Sequence, residues 1–420
     1  MSYTATRPAE SRFRWVICTL LFFATVIAYV DRGVLSFLEK FLEGIFHWHS
    51  VEYSYMTTGF QVAYGIGLLT VGRLTDRLGT RKGFAMAIVL WSLAAMAPGA
   101  AVGTATFGVA MFFLGLGEAA NFPACIKTVA EWFPKRERAL ATGLFNAGAN
   151  IGALLVPALV PFLYATLGWR GAFISTGALG FVWLAFWLIT YNKPENHRFV
   201  SDKELALIRS DPSESPAGIP WGRLFPLKET WAFAIGKFLT DPVWWFYIFW
   251  LPRYVQETFH LTLTKSSAPI LVVYAASTIG SVGGGALSSM MLKRGRSVNS
   301  ARKTALLVCA LAVLPVLYAP YATNLWVVVA LVGLATAAHQ GWSANLFTLV
   351  SDMFPKAAVG SVVGIGGMVG AAGGAIMQLV AGRIADYSYL PLFIFAGTAY
   401  ALALLIINKL SPQLKPAKVD

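Results

Sequence analysis

Charge is what this sequence has least of. Only 13% of its 420 residues are Asp, Glu, Lys or Arg, about half the share usual in water-soluble chains, while 57% are hydrophobic and the mean hydropathy is +0.62. That balance excludes a soluble multidomain enzyme. Cysteine is nearly absent, and Cys18, Cys125 and Cys309 all lie in apolar stretches without paired or metal-type spacing. They are expected to be packing residues, with no disulfide framework and no metal site. Acids are scarcer than bases, 20 Asp+Glu against 33 Lys+Arg, for a formal charge of +13. In a soluble protein this excess would invite a nucleic-acid reading. Here the bases are spread over loops on one side of a membrane, which disfavours nucleic acid as a partner.

Long apolar runs are abundant. They fall at 15–37, 53–76, 83–103, 105–130, 138–164 and 169–191, then at 230–256, 266–291, 303–320, 323–351, 357–382 and 388–409. A helix needs about 20 apolar residues to cross a bilayer, so the pattern predicts an all-α membrane protein with twelve transmembrane helices in two six-helix bundles. The expected domains are 1–191 and 230–420, joined by a polar, Pro- and Ser-rich linker, 192–229, with one amphipathic piece around Asp202–Arg209. The first run is too long for a signal peptide, carries Asp31 and Arg32 near its end and lacks a small-residue cleavage site, so it is expected to stay as the first helix. With both termini in the cytoplasm, Arg7, Arg12, Arg14, Arg73, Arg77, Arg81, Lys82, Lys135, Arg136, Arg138, Lys293, Arg294, Arg296, Arg302 and Lys303 all fall inside. Only Lys40, Arg170, Arg253, Lys265 and Arg383 then fall outside, which is the charge bias that sets membrane topology.

The two halves echo each other. Glu131–Gly143 reads EWFPKRERALATG and Ser351–Gly364 reads SDMFPKAAVGSVVG, each placing Phe-Pro-Lys before a Gly-rich run. Parallel six-helix repeats build one large group of secondary transporters, which bind substrate between the halves near the bilayer midplane. The six-plus-six count and this echo favour a transporter over a receptor or a membrane enzyme.

Between the second and third runs stands GRLTDRLGTRK (Gly72–Lys82), which resembles the G-x-x-x-D-R-x-G-R-R loop of the major facilitator superfamily. Gly72 and Gly79 permit close approach and turning. Asp76 sits where it can meet a helix N-terminus or a basic partner, so Gly72, Asp76, Arg77, Gly79 and Arg81 are candidates for a conformational gate. The second-half counterpart, Gly285–Arg296, lacks the acid. AYVDRGVLSF (Ala28–Phe37), LGLGEAANFPACIKTVAEWFPKRERALATGLFN (Leu114–Asn146) and GKFLTDPVWWFYIFWLP (Gly236–Pro252) are similar to the anion:cation symporter family, most of all to its bacterial hexuronate transporters. The resemblance implies the superfamily fold, a bacterial inner-membrane location, and import of galacturonate or glucuronate together with protons. Another sugar acid or organic anion, such as galactonate, glucarate or an aromatic acid, is the alternative in the same fold, and a membrane sensor the alternative of another class.

An ionisable residue in a membrane helix is costly and is by default a functional candidate. The interior set read from the sequence is Asp31, Arg32, Glu118, Lys127, Lys237 and Asp241. Asp31 and Arg32 are about 100° apart around a helix, so Arg32 can enter a cavity while Asp31 faces a neighbour. A guanidinium grips a carboxylate through two parallel hydrogen bonds and so suits a sugar acid. The other use for Arg32 is an internal pair with Asp31 or Glu118. Glu118 lies beside Gly117 and two alanines, in a dry stretch where burial and a nearby cation pull a carboxyl's proton affinity in opposite directions. Asp31 and Glu118 are therefore the candidates for proton coupling, with a neutral, packing Glu118 as the plain alternative.

Lys237, Asp241 and Trp244 stand at i, i+4 and i+7 with Pro242 beside them, a face that offers an ammonium to substrate or else a self-contained ion pair. The family resemblance supports a binding position at Lys237. Gln61 with Tyr64, and Asn146 with Asn150, line helix faces by spacing; Tyr29, Asn121, His339, Gln340 and Asn345 are looser candidates, and interhelical glue is the alternative for all of them. Trp244, Trp245, Tyr247 and Phe347 are candidates to stack on sugar faces. One departure from the superfamily stands at Met111, where R-x-x-x-G-x-G-x-A is usual and this chain reads Met111 before Gly115, Gly117, Glu118 and Ala119. An arginine there would help set the charge on Glu118, so Met111 removes a cation from the acid's face, an exchange of the kind that traps one conformation. No nucleophile–base set, metal cluster or phosphate loop appears at the required spacing, so the chain is not read as an enzyme and no cofactor is expected. The expected partners are an acidic sugar, protons and the bilayer, with the protein acting as a monomer.

Overall fold

The computed structural model describes residues 11–210 and 219–417, with the side chains of 71–77, 135, 136, 139, 356 and 357 outside the description. Among the described residues regular structure is helical, with no strand. The first half comprises α1 (Phe13–Phe46), α2 (Ser50–Leu78), α3 (Thr80–Met96), α4 (Thr104–Glu118), α5 (Asn121–Trp132) and α6 (Lys135–Thr190). Two short linker helices follow, α7 (Asp202–Ile208) and α8 (Trp221–Leu224). The second half comprises α9 (Lys228–Thr258), α10 (Leu263–Lys293), α11 (Val298–Val313), α12 (Leu325–Met353), α13 (Lys356–Ile384) and α14 (Leu390–Leu410).

These elements make twelve crossings. Helices α4 and α5 form one crossing, interrupted at Ala119–Ala120 because Pro123 has no N–H to offer the Ala119 carbonyl four residues back. Helix α6 forms two, since the chain turns at Gly168 (φ 69°, ψ 176°), a backbone region that only glycine enters freely. Nine stretches among the described residues are apolar and long enough to span; α2 and α9 are as long but more polar, and α6 counts once. Most boundaries fall within a few residues of the apolar runs. The exception is α1, expected to end near 37 but continuing to Phe46, where His47 closes it in the left-handed conformation. The extra turns, LEKFLEGIF, are amphipathic rather than uniformly apolar, and they carry Glu39, Lys40 and Glu43 along the helix.

The repeat seen in the sequence is built into the backbone. Phe133 (φ −123°, ψ 136°) and Pro134 (φ −63°, ψ 151°) join α5 to α6, and Phe354 (φ −116°, ψ 146°) and Pro355 (φ −62°, ψ 151°) join α12 to α13 in the same conformation. A 3-10 turn extends α3 at Ala97–Ala100 and α11 at Leu314–Tyr321. Just before each Phe-Pro an acid is tied to the preceding hairpin: Thr80 donates to Glu131 (2.7 Å), and Arg302 to Asp352 (2.9 Å). Packing repeats as well, α1 on α6, α2 on α4 and α3 on α6 answering α9 on α13, α10 on α12 and α11 on α14. The halves meet where α2 lies along α13, α6 along α10, and α1 against α9.

The linker docks on the first half. Helix α1 has no side-chain cap of its own, and Glu204 of α7 supplies one, accepting the N–H groups of Phe13 (3.0 Å) and Arg14 (3.1 Å) that the first turn leaves unpaired. Ser11 donates to the same carboxylate, and Arg14 bridges Glu204 (3.0 Å) to Glu137 (2.8 Å) on α6. His197 fits between Phe13 and Trp132, with Nε2 2.8 Å from the Thr190 carbonyl and Nδ1 accepting from the Phe199 N–H at 3.3 Å.

Candidate functional site

The interior charges singled out in the sequence form two ion pairs, one in each half. In the first half α1 presents Asp31 and Arg32, both nearly water-free. Arg32 Nε donates to Glu118 Oε2, so of the alternatives weighed for Arg32 this conformation has the internal pair with Glu118. The guanidinium is enclosed by rings, its carbon 4.6 Å from the centre of Tyr29, 5.2 Å from Tyr64, 5.3 Å from Phe60 and 5.4 Å from Trp245. Such faces hold a cation without consuming its N–H donors. Trp245 comes from α9, so the cage is assembled across the two halves. Asp31 turns away from it, towards Thr176 of α6, and neither of its oxygens has a hydrogen-bond partner.

Glu118 is held by close helix approach. A Cβ on Gly117 would lie 2.8 Å from Trp91 Cβ and 2.9 Å from its backbone nitrogen, and one on Gly115 would strike the Phe60 carbonyl. Only glycine lets α4 press against α2 and α3 here, which leaves the Glu118 side chain without solvent. Its second oxygen, Oε1, is buried and unpartnered, an acceptor left open beside Arg32. Met111 is packed in the core of the first half, and the cation that Glu118 meets is Arg32, delivered from α1.

In the second half Lys237 and Asp241 pair along α9, Nζ standing 2.8 Å from Oδ2 and 3.0 Å from Oδ1. Lys237 also lies 4.7 Å over the ring of Phe347, and Gly370 of α13 leaves the space that Asp241 occupies. Trp244, expected on the same face, stacks instead on His339 (5.2 Å, planes 2° apart), whose Nδ1 is 2.6 Å from the Tyr400 hydroxyl. Its neighbour Trp245 is the residue that turns towards Arg32.

The neutral candidates separate by environment. Gln61 is fully buried against Gly374 with both amide atoms unpartnered, and Asn150 is buried with Oδ1 unpartnered. Tyr64 is half-buried, stacked on Phe60 at 5.9 Å, and Gln340 is half-buried. Asn146 is exposed. Asn345 donates to the Gly284 and Gly341 carbonyls (2.9 Å each), a clamp between α10 and α12. Asn121 donates to Thr25 at 3.1 Å, tying α5 to α1, and Lys127 is half-buried on α5. Among the gate candidates, Gly72, Asp76 and Arg77 lie in the 71–77 stretch outside the described side chains. Gly79 (φ 76°) makes the α2–α3 turn, and Arg81 bonds Asn192 Oδ1 (3.1 Å) and the Leu188 carbonyl. Cys18, Cys125 and Cys309 are unpaired and buried. Among the described residues no three His, Cys, Asp or Glu side chains cluster as metal ligands would.

The sequence reading missed two features. The ring cage needs Phe60 and Trp245, and no spacing rule within α9 reveals that a tryptophan there meets an arginine of α1. Arg253, counted among the bases on the outer side, is 2% exposed, and Glu39 is 0% exposed; neither stood in the interior set.

Comparison with known proteins gives one consistent picture. The profile of the Major Facilitator Superfamily matches residues 21–377. The chain is 30% identical over 403 residues to the hexuronate transporter of Escherichia coli (strain K12), covering 94% of this chain and 93% of that one. It is 27% identical to the D-galactonate transporter of Escherichia coli O6:H1 (93% of each) and 29% identical to a probable galactarate/D-glucarate transporter of Bacillus subtilis (strain 168), covering 96% and 93%. Among solved structures it is similar in fold to a bacterial homologue of the human lysosomal transporter Spinster, in its inward-facing and unoccupied conformation (TM-score 0.70, 15% identity, 96% of each chain).

Proposed function

The chain belongs to the Major Facilitator Superfamily, as a multi-pass membrane transporter of the sugar-acid type and not an enzyme, and we propose that it imports hexuronates, galacturonate or glucuronate, together with protons. The observation that carries this reading is the buried Arg32–Glu118 pair inside a cage of rings drawn from both halves. A protonated Glu118 gives up its charge and frees the guanidinium for the substrate carboxylate; loss of that proton restores the internal pair and expels the sugar acid. Asp31, buried without partners, serves the same proton path. Tyr29, Tyr64, Gln61 and Asn150 offer hydroxyl and amide groups from the first half, and Lys237, Gln340 and Asn345 offer an ammonium and amides from the second. Of the stacking candidates Trp244, Trp245, Tyr247 and Phe347, Trp245 takes the role beside Arg32.

In this reading residues 1–191 and 230–420 rock about the site while 192–229 lies in the bacterial cytoplasm with both termini. The protein works as a monomer, since one chain encloses the whole path. Gly72, Asp76, Arg77, Gly79 and Arg81 control closure at the cytoplasmic end. Galacturonate uptake into proteoliposomes tests the proposal. An inside-alkaline gradient is expected to drive accumulation, galactose is expected not to compete, and Arg32→Lys, which loses the two-pronged grip, is expected to weaken binding about ten-fold. Equal uptake without the gradient, or equal competition by galactose, would refute it.

A further inference from the structure

At the end of the bundle opposite the termini a second ionic assembly joins the halves. We propose that Arg253 is the hub of a latch that holds this mouth of the transport path shut and lets go when the mouth opens. The inference rests on alternating access, which the superfamily fold carries, and on no particular substrate.

The latch is drawn from four helices. Arg253, near the end of α9, bonds Glu39 and Glu43 (2.9 Å) of α1, Glu257 (2.9 Å) one turn along α9, and Asp386 (3.1 Å) just beyond α13. Lys40 of α1 reaches back across the halves to Glu257 at 2.8 Å and touches Glu43 at 3.1 Å. Ser50, which opens α2, donates to Asp386, and Tyr389 donates to Glu257 at 2.8 Å. Backbone is recruited too: the Tyr53 hydroxyl donates to the Phe249 carbonyl at 2.8 Å and Gln256 Nε2 to the Phe37 carbonyl at 3.5 Å, each crossing from one half to the other. At the opposite end, among the described residues, Arg14 pairs with Glu137 and Glu204, and Arg302 with Asp352, contacts that stay within one half and its linker.

The composition of the assembly suits a seal that opens rather than one that only packs. Apolar side chains of similar volume would bind the halves at least as firmly, because buried ions surrender their hydration. Ions, however, regain that hydration when they part, so the open and closed mouths stay close in free energy. The assembly is also incompletely satisfied: Arg253 Nε and Glu39 Oε2 are both buried without a partner. With four carboxylates against two cations, Arg253 is the member that no other group replaces.

Nitroxide labels at Ile45 and Tyr387, exposed positions flanking the latch on opposite halves, report the opening of this mouth by double electron–electron resonance. Arg253→Gln is expected to raise the ratio of long to short distances at least about ten-fold, the worth of one charge-assisted hydrogen bond between the halves. Arg253→Lys, which keeps the hub cation among its carboxylates, is expected to hold most of the short distance. An unchanged distribution in Arg253→Gln, or one in Arg253→Lys as open as that of Arg253→Gln, overturns the proposal. Should Arg253→Gln not fold, Glu43→Gln with Glu257→Gln is expected to shift the ratio the same way by a smaller factor, and no shift there overturns it equally.

Discussion

Replacing Glu118 by glutamine separates the proposed coupling role from plain packing, because glutamine keeps the shape of the protonated acid and cannot exchange its proton. The change leaves Arg32, 3% exposed, as a buried cation among its ring cage and a neutral amide, with no counter-charge from Glu118. Removing one member of a buried ion pair costs about 3–5 kcal/mol, and the rings already surround the guanidinium, so they supply nothing new. A ligand carboxylate entering the same place would restore the pair. At a fixed galacturonate concentration about 100 times the native Kd, the native chain should gain roughly 2.7 kcal/mol, and the variant, whose unpaired Arg32 binds the carboxylate more tightly, should gain more. Thermal unfolding in detergent, with and without galacturonate, measures both effects. Glu118→Gln is expected to unfold earlier than the native chain and to gain more from the ligand. In proteoliposomes it should exchange galacturonate across the membrane yet fail to accumulate it under a pH gradient. Gradient-driven accumulation at the native level, or a smaller ligand gain than in the native chain, would refute the reasoning.

Two further outcomes follow from the second ion pair and the linker. Lys237→Gln with Asp241→Asn removes both charges together and should fold normally; if Lys237 touches substrate, the ligand-induced stability gain should need about ten-fold more galacturonate, the worth of one charged hydrogen bond, and an unchanged titration would make the pair structural. At the linker, burial disfavours the charged His197 ring and the neighbouring Arg198 charge adds to it; together these outweigh the Thr190 carbonyl and Glu204 and hold it below its usual value of 6.5. Burial alone would raise Glu204, but hydrogen bonds from Ser11, the Arg14 and Phe13 N–H groups and the Arg14 side chain outweigh it and hold the carboxyl below 4.5. Both groups therefore lend the docked linker stability that is lost on acidification, His197 as the pH falls below 6.5 and Glu204 as it falls through its lowered value under 4.5. Hydrogen exchange at the Phe13 and Arg14 amides, corrected for intrinsic rate, should lose protection in that order, and Glu204→Ala should remove it at neutral pH.

How much of this was legible in the chain depended on whether the determinant was local. The crossings were readable because apolar runs and their Gly, Pro and charge boundaries are local signals; even the Phe-Pro-Lys echo came through as two joints of the same backbone conformation. The end of α1 was misjudged because the run stops being uniformly apolar at Glu39, although the helix continues amphipathically to Phe46. That error hid the latch, since Glu39, Lys40 and Glu43 then resembled loop charges, while Arg253, near the end of its run, was counted with the outer-side bases. Arg32, Glu118 and Lys237 were singled out because charge is conspicuous in an oily helix. Their company was not legible: Trp245 rather than Trp244 meets Arg32, and His339 takes Trp244, because those contacts pair α9 with α1 and α12, at separations no helical spacing encodes.

The central claim is that sugar acid and proton travel together through the Arg32–Glu118 site. A pH-sensitive dye outside proteoliposomes tests it most directly, without any imposed gradient, when galacturonate is added. The account predicts prompt alkalinisation outside in the native protein, none with galactose, and none in Glu118→Gln. Galacturonate entry without proton movement, or proton movement that persists in Glu118→Gln, would contradict it.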